Sequence, residues 1–105
     1  MKEKLLKIIN TYGVIPQLKY FQSEIFELNE AIINAEHSRC VGITRDVAPI
    51  CIEHIAEEIA DCMVMLKQFQ YYYGITDEEI INNMQFKIKR QLERIENEKS
   101  NNIST

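Results

Sequence analysis

Apolar residues recur in steps of three and four along most of the chain, which is the period of an amphipathic α-helix. In one segment, expected to be helical from about Pro16 to Glu36, these residues are Leu18, Phe21, Ile25, Leu28, Ile32 and Ala35. In a second segment, expected from Pro49 to about Tyr73, they are Ile52, Ile55, Ile59, Cys62, Leu66, Phe69 and Tyr73. We expect each stripe to face the interior of a helical bundle.

Two further helices are predicted near the ends of the chain. The first runs over about Lys2 to Asn10 and ends at Tyr12-Gly13. The last begins near Thr76, because Thr76 followed by Glu79 has the spacing of a capping box. Its expected buried face consists of Ile81, Met84, Ile88, Leu92 and Ile95.

The regions between and after these segments complete the predicted architecture. Residues 37–48 contain Gly42, Thr44 and Asp46 and are expected to form a loop, and Gly74 is expected to stop the third helix. No segment shows the alternation of a β-strand. We therefore predict an all-α fold, a four-helix bundle that forms one domain over residues 1–96, followed by a polar and frayed tail over residues 97–105.

Composition narrows the range of partners. A net charge of −4 argues against a general nucleic-acid binder, which needs a basic surface. The uncharged run from Val47 to Ile52 is too short to cross a bilayer, and no other uncharged run approaches the required length of about 20 residues, so no membrane partner is expected. Three cysteines at even spacing form no evident disulfide framework. The sequence is therefore interpreted as that of a cytoplasmic protein with reduced thiols.

Two acidic pairs carry the candidate chemistry. Glu24 and Glu27 lie in the second predicted helix, and Glu58 and Asp61 lie in the third. When each apolar stripe is placed on a heptad, the first acid of either pair falls at position g and the second at position c. Members of a pair are about 60° apart around the helix and one turn apart along it, so they point the same way. If the two helices are antiparallel, four carboxylates can converge, and such a cluster suits Mg²⁺. On spacing alone, ordinary solvated glutamates remain the alternative.

The pattern Glu24-x-x-Glu27 followed by Glu58-x-x-Asp61 resembles that of the MazG-like nucleotide pyrophosphohydrolases, which are all-α proteins. The similarity extends from about Gln17 to Arg94. It implies that the four acids bind Mg²⁺, with Mn²⁺ as a substitute, and that they are the catalytic residues. It also implies that a metal-activated water attacks the α-phosphorus of a nucleoside triphosphate, releasing the monophosphate and pyrophosphate.

Other residues are candidates for substrate binding. Lys87 and Arg90 belong to a basic row on the fourth predicted helix and are the nearest matches to a Lys and an Arg that serve the phosphates in this family. A solvated basic face is the alternative for both. Gln17 and Tyr20 continue the Glu24 and Glu27 face by one more turn and could touch a base or ribose; the alternative is that they fill space in the core or at the surface.

Two features lie outside this resemblance. His37-x-x-Cys40 and Cys51-x-x-His54 imitate the spacing of a zinc site, although chance placement explains them better.

The second feature concerns assembly of the chain with copies of itself. Apolar side chains without an evident partner in so short a chain predict a homo-oligomer, either a dimer or a tetramer; they are Phe26, Ile33, Tyr71, Tyr72 and Tyr73.

Two other functions remain open at this stage. A relative on the same scaffold could act on a narrower substrate, such as dUTP or phosphoribosyl-ATP, because a scaffold does not determine its substrate. A helical interaction or regulatory module without catalytic activity would keep the acids only for solubility. Dependence on magnesium separates the enzymes from the module.

Overall fold

The computed structural model describes residues 1–41 and 46–103. These residues form four α-helices and no strand, which confirms the all-α prediction. The helices are α1 (Lys2–Tyr12), α2 (Val14–Val41), α3 (Pro49–Tyr72) and α4 (Asp77–Ile103). Within this part of the chain, no helix has both the length and the apolar character needed to cross a bilayer.

The helix boundaries follow from local chemistry. Gly13 adopts a φ of 91° between α1 and α2, and Gly74 adopts a φ of 68° just after α3, a conformation that side chains with a Cβ disfavour. Pro49 begins α3 as predicted. By contrast, α2 runs past the predicted end at Glu36, because nothing between that residue and Val41 is a glycine or proline. Gly42 and Thr44 of the predicted loop lie outside the described residues.

The chain divides into two compact units, Met1–Tyr73 and residues 74–105, whereas the sequence pattern indicated one domain over residues 1–96. The second unit opens with the predicted capping box. The Thr76 amide donates to Glu79 Oε2 (3.2 Å), and the Glu79 amide donates to Thr76 Oγ1 (3.1 Å). Helix α4 then continues through Ile103, so the segment from Asn97 to Ile103 is helical where a frayed tail was expected.

The predicted buried stripe of α4 has no partner among the described residues of its own unit. Its five apolar members are each about half exposed: Ile81, Met84, Ile88, Leu92 and Ile95. The second compact unit contains a single helix, and one helix has no neighbour of its own against which to bury a stripe. The pattern predicted the helix correctly but not its environment.

In the first unit, α2 and α3 pack as an antiparallel pair. Gln17 Nε2 donates to Gln68 Oε1 at 2.8 Å near one end of the contact. Further along α2, the Cys62 thiol approaches the Glu24 carbonyl oxygen at 3.5 Å. The contacts therefore move towards the C-terminus of α2 as they move towards the N-terminus of α3. This is the arrangement under which the sequence predicted that the acidic pairs converge.

Helix α1 packs against both α2 and α3 and supplies the most buried apolar side chain, Ile9, together with Leu5. The other buried apolar residues are Ala31, Ala35, Cys62 and Met65. Most of these side chains are small, so the face of α2 that carries Glu24 can approach α3 closely.

The predicted bundle-facing stripes of α2 and α3 are therefore only partly buried. Ile25 is 47% exposed and Ile59 is 42% exposed, whereas the glutamates that precede them in sequence are buried. One residue step turns an α-helix by about 100°. The face in closest contact is thus turned from Ile25 and Ile59 towards the glutamates, while Ala35 and Cys62, members of the same stripes, stay buried in it.

Candidate metal centre

Three glutamates converge where α2 and α3 pack together. Glu24 and Glu27 come from successive turns of α2, and Glu58 comes from α3; one carboxylate oxygen of each lies within 4.8 Å of the others. Glu24 is 5% exposed and Glu58 is 9% exposed, whereas Glu27 is open to solvent. The structure thus brings together three of the four acids that the sequence singled out.

Two of these carboxylates are buried without full compensation. Among the described residues, no group donates a hydrogen bond to Glu24 Oε2 or to Glu58 Oε2, and both atoms are inaccessible to solvent. Glu58 Oε1 pairs with His54 Nε2 at 3.3 Å. Burying an ionised oxygen without a partner is costly, and the cost grows when like charges lie beside it. A cation between the glutamates would satisfy both oxygens.

Asp61, the fourth predicted ligand, is placed differently. It lies one turn beyond Glu58 on α3, is exposed, and is not a member of the close group of ligand atoms among the described residues. It lines a cavity together with Glu24. Its charge still acts on the site, because it contributes to raising the pKa of both Tyr20 and Cys62.

The negative charge of the cluster helps to raise the pKa of two neighbouring side chains. A hydrogen bond with Glu24 is the main cause that raises the pKa of the Tyr20 hydroxyl above its usual 10.0, and repulsion by the nearby carboxylates adds to it. Burial is the main cause that raises the pKa of the Cys62 thiol above 9.0, with the same carboxylates contributing. Both groups are therefore protonated at neutral pH.

A cavity of about 530 Å³ opens beside the glutamates within the first unit. Its polar wall includes Glu24, Asp61, Gln17, Gln68 and the ring of Tyr20. Apolar side chains complete the lining, together with the ring of Tyr12: Ile8, Pro16, Val64 and Met65. A cavity of this size that combines apolar walls with a few convergent polar groups is typical of a small-molecule site.

A buried amide pair lies at the end of this cavity remote from Glu27. Gln68 is 1% exposed and Gln17 is 8% exposed. Gln68 accepts from Gln17 Nε2 and directs its own Nε2 towards Met65 Sδ at 3.7 Å. The sequence analysis identified Gln17 as a candidate but missed Gln68, because a buried glutamine cannot be distinguished from a surface one by periodicity.

The remaining candidates belong to other segments of the chain. Lys87 and Arg90 are exposed on α4, and the Arg90 guanidinium lies 5.8 Å from the centre of the Phe86 ring on the same helix. Cys51 and His54 do not join the close group of metal-ligand atoms in the described part of the chain, where His54 instead pairs with Glu58. The side chain of Cys40, from the other half of the zinc-like spacing, lies outside the described residues.

Comparison with known proteins returned no match, whether the chain was compared with protein-family models, curated proteins or solved structures. The resemblance of the acidic motif to the MazG-like enzymes therefore stays a prediction. Functional reasoning rests on the site itself, whose three clustered carboxylates and adjoining cavity can hold a hard divalent cation beside a small polar ligand.

Proposed function

We propose that this protein is a Mg²⁺-dependent nucleoside triphosphate pyrophosphohydrolase of the MazG-like type. The observation that carries the proposal is the convergence of Glu24, Glu27 and Glu58, with two buried carboxylate oxygens that no described group satisfies. A purely solvated acidic face would leave these oxygens in water. Here they are held where a cation would compensate them.

The donor set favours magnesium. Mg²⁺ binds a small number of carboxylates and completes its octahedron with water and substrate phosphates, whereas zinc prefers histidine and cysteine. Glu24 and Glu58 would bind the ion from the buried side, and Glu27 would bind it from the solvent side. Asp61 would supply a fourth carboxylate from the rim of the cavity, where it lies near Glu24.

Such an ion would supply two effects at once. Bound to these residues, it would neutralise phosphate charge and lower the pKa of a bound water, so that this water could attack the α-phosphorus. The cavity beside the cluster accommodates the nucleoside part of the substrate. The products are then a nucleoside monophosphate and pyrophosphate.

Lys87 and Arg90 are proposed to contact the β- and γ-phosphates, as the resemblance implies. Arginine can hold two phosphate oxygens in a fixed geometry, and lysine provides a compact charge. Replacing either residue by alanine should lower kcat/KM for triphosphates more than for diphosphates, because a diphosphate lacks the outermost charge. Equal losses for the two substrate classes would remove this assignment.

The experiment that tests the function is a screen of ribo- and deoxyribonucleoside triphosphates for pyrophosphate release, with Mg²⁺ and with EDTA. We expect release only with Mg²⁺ and its loss by orders of magnitude in Glu58→Gln. Glu57→Gln is the matched control, because Glu57 is the exposed neighbour on the same helix. A chain that releases no pyrophosphate from any nucleotide would instead be an interaction or regulatory module.

We also propose that the protein acts as a homo-oligomer. Several large apolar side chains of the first unit are exposed beside the helix contact, and such patches indicate an interface; they include Leu18, Ile25, Phe26, Ile32, Ile33, Ile59 and Leu66. Light scattering at micromolar concentration should report at least twice the chain mass of 12.4 kDa. A mass equal to one chain would contradict this proposal.

A further inference from the structure

The cavity beside the glutamates contains polar and aromatic groups that are not needed to bind phosphate. The buried Gln17–Gln68 amide pair lies at its far end, and the Tyr12 and Tyr20 rings line it as well. Gln17 precedes Glu24 by two helical turns, a separation of about 10 Å along α2. That distance is of the order of the length of a nucleoside, so the amide pair lies where a base would reach.

We propose that this cavity selects cytosine and adenine, which carry an amino group at pyrimidine C4 or purine C6, over the diketo bases uracil and thymine. The inference rests on the proposed function and names the substrate class of the same site. It goes beyond that function because the metal cluster alone does not distinguish one base from another.

The amide pair is held in one orientation by its own contacts. Gln68 uses Oε1 to accept from Gln17 and turns Nε2 towards Met65. Because one N–H of Gln17 Nε2 is engaged by Gln68, the Gln17 amide offers its carbonyl oxygen, with two lone pairs, and a single N–H to a ligand. Its hydrogen-bonding capacity is therefore weighted towards accepting.

The rest of the polar wall adds no competing donor at the base. Asp61 and Glu24 line the same cavity, but their carboxylates are proposed to hold the metal at its other end. The Tyr20 hydroxyl is already engaged with Glu24. A ligand edge that donates hydrogen bonds is thus matched by the Gln17 amide oxygen, whereas a carbonyl edge would face an oxygen of like polarity.

This arrangement of acceptors distinguishes the bases by the hydrogen-bonding group that each base presents at one edge. Cytosine and adenine carry amino donors at N4 and N6, whereas thymine carries a carbonyl acceptor at O4, and uracil shares that carbonyl. The Tyr12 and Tyr20 rings and the apolar side chains of Ile8 and Val64 offer surfaces to any base. The Gln17 amide oxygen therefore supplies the discrimination.

Nucleosides without phosphate test this inference independently of turnover and of metal. Cytidine, adenosine, uridine and thymidine would each be titrated into the ¹⁵N-labelled protein in EDTA, and the side-chain amide signals of Gln17 and Gln68 would be followed. We expect cytidine and adenosine to shift these signals with affinities about threefold to tenfold higher than those of uridine and thymidine. Equal affinities, a preference for uridine, or no shift with any nucleoside would overturn the proposal.

A variant pair identifies the residue responsible. Gln17→Met keeps the volume of the side chain but removes the amide, and it should abolish the preference. Gln22→Met is the matched control, since Gln22 is an exposed glutamine of α2 outside the cavity, and it should retain the preference. The wild-type titration needs no variant and decides the proposal even if Gln17→Met fails to fold.

The outcome is separable from that of the proposed function. A chain that prefers cytidine and adenosine but hydrolyses no nucleotide would retain the base site and lose the enzymatic assignment. A chain that releases pyrophosphate while binding all four nucleosides equally would keep the enzymatic assignment and lose the base site.

Discussion

Replacing Glu24 by glutamine distinguishes a metal site from a purely structural cluster of acids, because the two interpretations predict opposite changes in the free energy of unfolding. Glu24 is nearly fully buried, its Oε2 has no donor among the described residues, and its carboxylate lies close to those of Glu27 and Glu58. Glutamine preserves the shape of the side chain. Its Oε1 can still accept from the Tyr20 hydroxyl, and its Nε2 can donate to a neighbouring carboxylate.

The magnitude follows from the spacing of the oxygens. Two unit charges about 5 Å apart interact by about 3 kcal/mol at an effective dielectric constant near 20. A new hydrogen bond to a charged acceptor adds about 1.5–3 kcal/mol in a buried setting. Allowing for solvent access at Glu27, we expect metal-free Glu24→Gln to be more stable than the wild type by about 2 kcal/mol. For a domain of this size, that raises Tm by roughly 8–16 °C.

Magnesium should reverse the ranking. An ion at a concentration of about 100 times its Kd stabilises the folded state by about 2.7 kcal/mol. The wild type should gain that amount, and Glu24→Gln should gain little. The assay is thermal unfolding of both proteins in EDTA and in Mg²⁺, with Glu30→Gln as a control, because Glu30 is an exposed acid on the same helix. A destabilised variant in EDTA, or an undiminished response to Mg²⁺, would refute the reasoning.

Four further predictions concern the fold and the thiols. Ile9→Ala should lower the free energy of unfolding by about 2–5 kcal/mol in denaturant titrations, because Ile9 is fully buried, whereas Ile15→Ala, at a position 62% exposed, should change it little. Thr76→Ala should cost about 0.5–2 kcal/mol through loss of the α4 cap, seen as reduced helical circular dichroism on heating; no change would contradict the role of the capping box. Burial raises the pKa of the Cys62 thiol above 9.0. The stabilisation from the protonated thiol is therefore complete below about pH 9 and declines as the pH rises further. The free energy of unfolding measured against pH should show this decline, and the decline should be smaller in Cys62→Ala. At pH 8, peptide mapping should accordingly find iodoacetamide on the half-buried Cys51 before Cys62, and the reverse order would count against the burial of Cys62.

The helices were largely predictable because their boundary chemistry is local. Pro49 and Gly74 bracket α3, and Thr76 with Glu79 starts α4, as the structure confirms. The end of α2 was not predictable, because the residues after Glu36 are compatible with either helix or loop. Propensity alone does not stop a helix there.

The inward face was less predictable than the helices. Hydrophobic periodicity placed Ile25 and Ile59 in the contact face together with Ala35, but Ala31 and Ala35 are buried apolar members of α2 here, and the helices approach through the face that carries the glutamates. The two helices pack closely where the side chains between them are small, although larger apolar side chains beside this contact then stay exposed. A single sequence does not show which of two adjacent faces is in contact.

The acidic site was predictable in part. The matched phase of Glu24, Glu27 and Glu58 predicted their convergence, which the structure confirms, because helical spacing fixes which side chains share a face. Asp61 shares the same phase but lies at the cavity rim. The partnership of Gln68 with Gln17 depends on the register between two helices, and that register is a tertiary property which periodicity does not encode.

The position of the cut distinguishes a pyrophosphohydrolase from an enzyme that removes the γ-phosphate. Hydrolysis of a nucleoside triphosphate with Mg²⁺ in ¹⁸O-labelled water, followed by chromatography and mass spectrometry, identifies both the products and the phosphorus attacked. The account predicts a nucleoside monophosphate that carries the label and an unlabelled pyrophosphate. Release of a nucleoside diphosphate and labelled orthophosphate would place the attack on the γ-phosphorus and contradict the proposed reaction.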